Sequence, residues 1–172
     1  MRSFIWVACL LASALISCKN KEKTAAAPGQ NPAATESAAT STDQKRTLVL
    51  SYERTACFGT CPVYKMSLYS DGYATYEGRI HTPYIGPHEG KFDPETVESI
   101  TALIREQGYK NWKANYESMA TDLPSRILTI NLDGANQKIV DGGGEAPEGL
   151  RSVERELEKN IGQVNWRLMK AK

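Results

Sequence analysis

Apolar and polar residues alternate from Thr47 onwards, with the period of two that is typical of half-buried strands. Residues 47–53, TLVLSYE, form the first such run. Residues 62–79 form two further runs on either side of Asp71-Gly72, a dipeptide typical of tight turns between paired strands. A three-residue loop, 70–72, places the apolar residues of both runs on one face, whereas a two-residue loop mixes the faces. The pattern therefore predicts a strand followed by a hairpin of that register.

Two later segments change to the period of 3.6 residues that is typical of amphipathic helices. The first is predicted to begin at Pro94, because Asp93 is a suitable N-cap, and Gly108 can end it. Its buried stripe would consist of Val97, Ile100, Leu103 and Ile104. The second is predicted to begin near Pro147 and to bury Leu150, Val153, Leu157 and Ile161. Between the helices, residues 126–141, RILTINLDGANQKIVD, predict a second hairpin.

The order of these elements predicts an α+β fold. The order β-β-β-α-β-β-α indicates an antiparallel sheet of about five strands with two helices packed on one face. Residues 47–172 have the length of a single domain with one core.

The N-terminal segment, residues 1–18, predicts a lipoprotein signal peptide. Arg2 precedes an apolar run that is too short to span a bilayer and that ends in Leu-Ile-Ser-Cys, which resembles the bacterial lipobox. In such signals the cysteine, here Cys18, is lipidated and becomes the first residue of the mature chain. The alternative is an ordinary signal peptide that is cut near Ser17. Lys19, where aspartate would favour the inner membrane, leads us to expect an envelope protein attached to the outer membrane.

Residues 19–46 contain no Val, Ile, Leu, Met or aromatic residue. Because such a segment buries too little apolar surface to offset the entropy of ordering, we expect a disordered tether. A flexible chain of this length reaches roughly 30 Å and would space the domain from the membrane.

The balance of charges argues against one class of partner. The chain has 21 basic and 20 acidic residues and a formal net charge of +1. A nucleic-acid-binding protein needs a strongly basic face, so no nucleic-acid partner is expected.

The two cysteines of the CFGTCP segment, Cys57 and Cys61, are predicted to form a disulfide. Of the four cysteines, Cys9 would leave with the signal peptide and Cys18 would carry lipid. The compartment outside the inner membrane permits disulfides, and the glycine at position 59 helps the short loop to fold back. The bond would brace a turn between two strands.

Two other interpretations of the cysteine pair are open. A redox centre would need a helix N-terminus or a nearby histidine to activate a thiol, whereas Pro62 leads into a strand. A copper site would combine the two thiolates with an imidazole, and the CxxxCP spacing resembles that of copper-delivering thioredoxin-fold proteins. Only His81 and His88 could provide the imidazole, and both are predicted to be exposed histidines in a loop.

Three other segments could carry function. The DGGGEAP segment, residues 141–147, precedes a helix as a phosphate loop does, but its acidic residues would repel an anion, so it is predicted to be a strand-to-helix link. Asp122 or His88 could serve a hydrolase, yet no nucleophile and base are paired in the sequence, and turn chemistry explains the aspartate. Tyr69 and Tyr73, paired across the predicted hairpin, would be exposed and form the candidate contact surface.

Several short motifs resemble an uncharacterised bacterial family, the domain of unknown function 6438. They are YERTxCFGxCPxY over residues 52–64, Asp71-Gly72, YxG over 76–78 and TDxP over 121–124. The resemblance covers residues 47–160 and implies the same domain boundaries. Such domains commonly follow a lipoprotein signal, and the resemblance implies no activity.

These features predict a lipid-anchored, non-enzymatic envelope protein without a cofactor. Its small disulfide-stapled domain would bind an envelope protein or a small ligand, neither of which the sequence identifies. The alternative is a copper- or thiol-handling protein that uses Cys57 and Cys61, with His81 and His88 as further metal ligands.

Overall fold

The computed structural model describes residues 46–120 and 122–170. The predicted signal peptide, Cys18 and the tether up to residue 45 lie outside this range. Arg46, the last residue assigned to the tether, contacts the domain: its Nε donates a 2.8 Å hydrogen bond to Asp71, and its guanidinium lies 4.1 Å from the ring centroid of Tyr73. No helix in the described part of the chain is both long and apolar enough to cross a membrane.

Within the described residues, a sheet of eight strands forms the centre of the domain, in the order β5-β7-β6-β1-β2-β3-β4-β8. The strands are β1 (Leu48–Arg54), β2 (Val63–Tyr69), β3 (Tyr73–Ile80), β4 (Gly86–Lys91), β5 (Asn115–Tyr116), β6 (Arg126–Leu132), β7 (Ala135–Asp141) and β8 (Arg167–Leu168). Neighbours are antiparallel except β5 and β7, which are parallel, so the sheet is mixed.

The α+β class is confirmed, but the prediction of about five antiparallel strands was too low, and the sheet is not wholly antiparallel. The missed strands are β4, β5 and β8. The sequence of β4, GPHEGK, is rich in glycine and proline, and it forms a strand because β3 and β8 pair with its two edges. β5 and β8 have two residues each, which is too short to give a periodic pattern.

The predicted register of the first hairpin is confirmed. β2 and β3 place Met66 opposite Tyr76 on the buried face and Lys65 opposite Glu77 on the other face. Gly72 in the turn has a φ of 80°, and a Cβ at this position would overlap the carbonyl oxygen of Phe92. Glycine is therefore required here both for its backbone conformation and for space.

The two predicted helices are α1 (Pro94–Glu106) and α2 (Glu148–Ile161). α1 follows Asp93 as expected, although the aspartate side chain makes no capping hydrogen bond. All four residues predicted for the stripe of α2 are buried, whereas in α1 Leu103 is only half-buried and Thr101 is buried instead. The Thr101 hydroxyl donates to the carbonyl oxygen of Glu98 at 2.9 Å, so its burial leaves no unpaired donor.

The core lies between the helices and one face of the sheet. Tyr52 and Leu128, from adjacent strands, are fully buried there. After α2 the chain returns along β4, where the Trp166 ring lies 5.0 Å from that of Tyr76. Gly90 leaves room for this return, because a Cβ there would overlap Val164 and Trp166.

Candidate functional site

Three connecting segments meet at one end of the sheet, where β1 and β7 end and β2 and β6 begin. They are the disulfide loop (residues 55–62), the neighbouring loop (residues 117–125, of which Thr121 is not described) and the glycine link (residues 142–147). We call this region the loop end. It contains most of the motif residues that the sequence singled out, and α2 passes beside it.

The disulfide loop is fixed covalently and by hydrogen bonds. Cys57 and Cys61 form a disulfide, with their Cα atoms 5.8 Å apart, in agreement with the sequence prediction. The Phe58 amide donates to the carbonyl oxygen of Asp122 at 3.2 Å, and the Thr55 amide donates to that of Ser125 at 3.0 Å. Because both contacts join the disulfide loop to the neighbouring loop, the two loops brace each other.

The braced loops present apolar side chains to solvent. Phe58, inside the disulfide ring, is 94% exposed. Met119 in the neighbouring loop is fully exposed, and Leu123, next to the residue that accepts the Phe58 hydrogen bond, is 46% exposed. A large aromatic side chain on a fixed backbone loses little entropy when it binds, which makes Phe58 the strongest candidate contact residue of the loop end.

The two histidines differ in burial. His81 is exposed, but His88 is buried in β4, so the prediction that it is an exposed loop histidine was wrong. His88 is buried because β4 pairs with β3 on one side and with β8 on the other. Its ring also packs against that of Tyr84, with the ring centroids 5.4 Å apart. In residues 46–120 and 122–170, no three His, Cys, Asp or Glu side chains are placed to hold a metal ion.

The tyrosine pair lies at the opposite end of β2 from the disulfide loop. The rings of Tyr69 and Tyr73 are 5.8 Å apart, as expected for a cross-strand pair. Both side chains are half-buried instead of exposed. The two rings cover each other in part, and Tyr73 is also covered by Arg46 and donates a hydrogen bond from its hydroxyl to Glu89. The pair therefore offers less free surface than the sequence predicted.

The glycine link connects β7 to α2, as predicted. A Cβ at Gly144 would overlap the carbonyl oxygen of Glu117, so glycine allows the link to pack directly against the neighbouring loop. The amide of Gly143 donates to Oδ1 of Asp141 at 2.9 Å. Asp122, considered above as an acid, has an exposed side chain and takes part in the loop end through its backbone carbonyl.

A group of charged side chains that the sequence analysis did not identify lies beneath the glycine link. It surrounds a cavity of about 250 Å³ between the sheet and α2, which we call the carboxylate cavity. Besides Gly143, its lining residues are Arg126, Asp141, Arg151, Glu154, Arg155 and Glu158.

The most perturbed group in this cavity is Glu154. Burial raises its pKa to about 8, the carboxylate of Asp141 adds to the rise, and Arg126 opposes it. Glu154 is therefore largely protonated at neutral pH. Perturbed carboxyl groups beside a cavity are typical of binding and catalytic sites.

The sequence carried a signal for this residue. Glu154 follows Leu150 by four positions and precedes Leu157 by three, so it falls on the buried stripe of α2. A glutamate in such a stripe is either paired or functional, because burying an isolated carboxylate is costly. The partners, Arg126 and Asp141, come from two other strands and could not be identified from α2 alone.

Comparison with known proteins identifies a family and no activity. The model of the family described as Domain of unknown function (DUF6438) matches residues 48–161. No curated protein matches the chain. The matched residues include both the disulfide loop and the carboxylate cavity.

Proposed function

We propose that this chain, which belongs to the DUF6438 family, is a lipid-anchored protein of the bacterial envelope whose folded domain is a non-enzymatic binding module. The proposed partner is another envelope protein with an apolar pocket, and the loop end is the surface that meets it. Anchoring is supported by the apolar run before Cys18 and by the absence of Val, Ile, Leu, Met and aromatic residues from the sequence 19–46.

The proposal that the loop end binds a partner rests on the exposure of Phe58. A phenylalanine that is 94% exposed contributes almost nothing to the core, so its position in a disulfide ring is not explained by folding. Ring closure and the hydrogen bond to Asp122 fix the backbone that presents this side chain. Pre-organised aromatic residues of this kind are the usual anchors of protein interfaces.

Site-specific photo-crosslinking in the native envelope tests this proposal. A photoreactive residue at position 58 is expected to give one discrete protein adduct, and the same residue at position 168 serves as the control. Leu168 is also an exposed apolar residue, 67% accessible, but it lies in β8 at the edge of the sheet. The adduct should weaken when Leu123→Ser is added and disappear when both cysteines are replaced.

Two outcomes would count against the proposal. Equal adducts from positions 58 and 168 would mean that contact is nonspecific. Adducts of position 58 with lipid alone would mean that Phe58 inserts into the membrane instead of a protein.

A further inference from the structure

Two carboxyl groups in the carboxylate cavity are buried side by side. Asp141 is 1% exposed and Glu154 is 3% exposed. Within residues 46–120 and 122–170, Oδ2 of Asp141 and Oε1 of Glu154 accept no hydrogen bond from the backbone or from a basic side chain. A proton on Glu154 lets one carboxyl group donate to the other. Once that proton leaves, both oxygens need a donor, which a cationic ligand in the cavity can supply.

Arg126 neutralises charge in this cavity but donates no hydrogen bond to the carboxyl groups. Its nitrogens lie 3.6 Å from Oδ2 of Asp141, 3.8 Å from Oε2 of Glu154 and 3.7 Å from Oε1 of Glu158. These distances exceed those of N–H···O hydrogen bonds. When Glu154 is ionised, the carboxyl oxygens therefore have a nearby positive charge but no donor.

A primary ammonium group has the chemistry to satisfy both carboxyl groups. It carries three N–H donors and a positive charge, so one group can serve two acceptors. A metal ion is a poorer fit, because no three ligating side chains are placed to hold one in the described part of the chain.

The same cavity offers donors for a negative group on the α2 side. Nη2 of Arg151 donates to the carbonyl oxygen of Gly144 at 2.6 Å, and Nη2 of Arg155 donates to Glu148 at 2.6 Å. A guanidinium has five N–H donors, so each arginine is oriented by one contact and keeps others for a carboxylate or phosphate. A volume of about 250 Å³ lies below the usual range for drug-sized ligands and suits a small molecule.

We propose that the carboxylate cavity binds a small zwitterion, with a primary ammonium group between Asp141 and Glu154 and a carboxylate or phosphate group at Arg151 and Arg155. This inference is independent of the proposed contact through Phe58. An amino acid and a phosphorylated amino alcohol share the required chemistry and differ in the anionic group.

Binding at this site is coupled to a proton. Four titratable or charged groups surround Glu154. They are Asp141 on β7, Arg126 on β6, Tyr52 on β1 and Glu158 on the same helix. An ammonium group favours the ionised form of Glu154, which is largely protonated at pH 7 when the cavity is empty. Binding at pH 7 should therefore release about one proton per ligand, and affinity should rise between pH 6 and pH 8.

Isothermal titration calorimetry of the full chain in detergent tests the site. Glycine and O-phosphoethanolamine are the probes, and ethylamine and acetate, which each carry one of the two charges, are the matched controls. At least one zwitterion should bind about tenfold or more tightly than either control. The ratio between the two zwitterions identifies the preferred anion, and titration in buffers of different ionisation enthalpy measures the released proton.

Variants then assign the contacts. Asp141→Asn should weaken the preferred zwitterion about tenfold or more, and Glu154→Gln should also abolish proton release. The double variant Arg151→Gln/Arg155→Gln, at the cavity rim, should reduce affinity to that of ethylamine. Glu156→Gln, on α2 outside the cavity, is the control and should bind as the parent does.

Three results would overturn the proposal. The first is that neither zwitterion binds the parent protein. The second is that ethylamine or acetate binds as tightly as the zwitterions, and the third is that the rim double variant keeps full affinity. The rim arginines lie on α2 outside its buried stripe, so this variant stays informative if a change at Asp141 or Glu154 prevents folding.

Discussion

The hydroxyl of Tyr52 donates a 2.6 Å hydrogen bond to Oε1 of Glu158, joining the buried centre of β1 to the last turns of α2. Nη1 of Arg54 donates to the same oxygen at 2.9 Å. Tyr52 is fully buried, and burial together with the Glu158 carboxylate raises the pKa of its hydroxyl, so it acts as a donor at all ordinary pH values. Glu158 also lines the carboxylate cavity, so this contact joins α2 to the sheet beside it.

Removing the Tyr52 hydroxyl should lower the free energy of unfolding while the protein still folds. In Tyr52→Phe, Glu158 keeps Arg54 as a donor, so the expected loss is about 1.5 kcal/mol in the free energy of unfolding. Urea unfolding followed by circular dichroism measures it. Tyr69→Phe is the control, since the hydroxyl of Tyr69 makes no side-chain hydrogen bond among the described residues. Equal losses in the two variants would contradict the role given to Glu158.

Stability should fall as pH rises, because of Glu154. Its pKa is about 8 in the folded state against an ordinary value of 4.5. Between these values the folded state holds a proton that the unfolded state has lost, so the free energy of unfolding decreases with increasing pH, by at most about 1.4 kcal/mol per pH unit. The decrease should end above pH 8, where both states have lost the proton.

Glu154→Gln should remove this slope, since the amide does not titrate. Unfolding in urea at several values between pH 5 and pH 8 gives the comparison. Glu156→Gln is the control on the same helix: hydrogen bonds from Lys159 and Asn160 lower the pKa of Glu156, so that group affects stability only in acid. A parent protein that is equally stable at pH 5 and pH 8 would argue against a protonated Glu154.

Gly78 in β3 should not tolerate a side chain. A Cβ there would overlap the backbone oxygen of Tyr84, and backbone has little freedom to move away. We expect Gly78→Ala to cost about 1–3 kcal/mol, measured as a lower midpoint of urea unfolding. Gly59→Ala in the disulfide loop is the matched control, because its nearest atom, Sγ of Cys57, would be at an ordinary 3.7 Å. Equal stability of the two variants would mean that the segment around Tyr84 can shift.

Membrane attachment should depend on Cys18 and not on Cys9. Cys18→Ser is expected to lose incorporation of labelled fatty acid and to leave the chain released or unprocessed, because the thiol is the acceptor of lipid. Cys9→Ser, within the apolar run, keeps that acceptor and should label normally. Metabolic labelling followed by fractionation measures both. Lipid incorporation that persists in Cys18→Ser would refute lipid attachment at this residue.

The sequence predicted those elements whose residue pattern within the element itself favours a strand or a helix. The register of β2 and β3 follows from the alternation around Gly72, and α2 follows from its stripe of four apolar residues. β4 could not be predicted in this way, because its own sequence disfavours a strand and its two neighbours supply the pairing. The burial of His88 was missed for the same reason.

The same difference between local and long-range information applies to the candidate sites. Cys57 and Cys61 are close in sequence, so their spacing was enough to predict the disulfide. The carboxylate cavity combines residues from three consecutive elements, β6, β7 and α2, and of the link between β7 and α2. Asp141 was noticed only as a residue that repels anions, since nothing in the sequence placed it beside Glu154.

The final prediction separates a structural disulfide from a copper site at Cys57 and Cys61. If the bond is structural, the purified protein should not be alkylated at either position until it is reduced. Replacing both cysteines by serine should cost about 2 kcal/mol in the free energy of unfolding, which is the loop-entropy estimate for so small a ring. Mass spectrometry before and after reduction gives the first measurement, and urea unfolding gives the second.

Titrating the reduced protein with Cu(I) against a competing chelator addresses the alternative. A copper site predicts tight one-to-one binding that weakens when His81 or His88 is replaced by alanine, because a histidine would complete the thiolate pair. We expect no such dependence: His88 is buried in β4, with Nδ1 3.1 Å from the carbonyl oxygen of Gly86, and would have to leave that position to reach a metal ion. His81→Ala is the informative variant, since this histidine is exposed and its removal disturbs no packing. Stoichiometric binding that is lost in His81→Ala would replace the structural role of the cysteine pair with a copper-handling one.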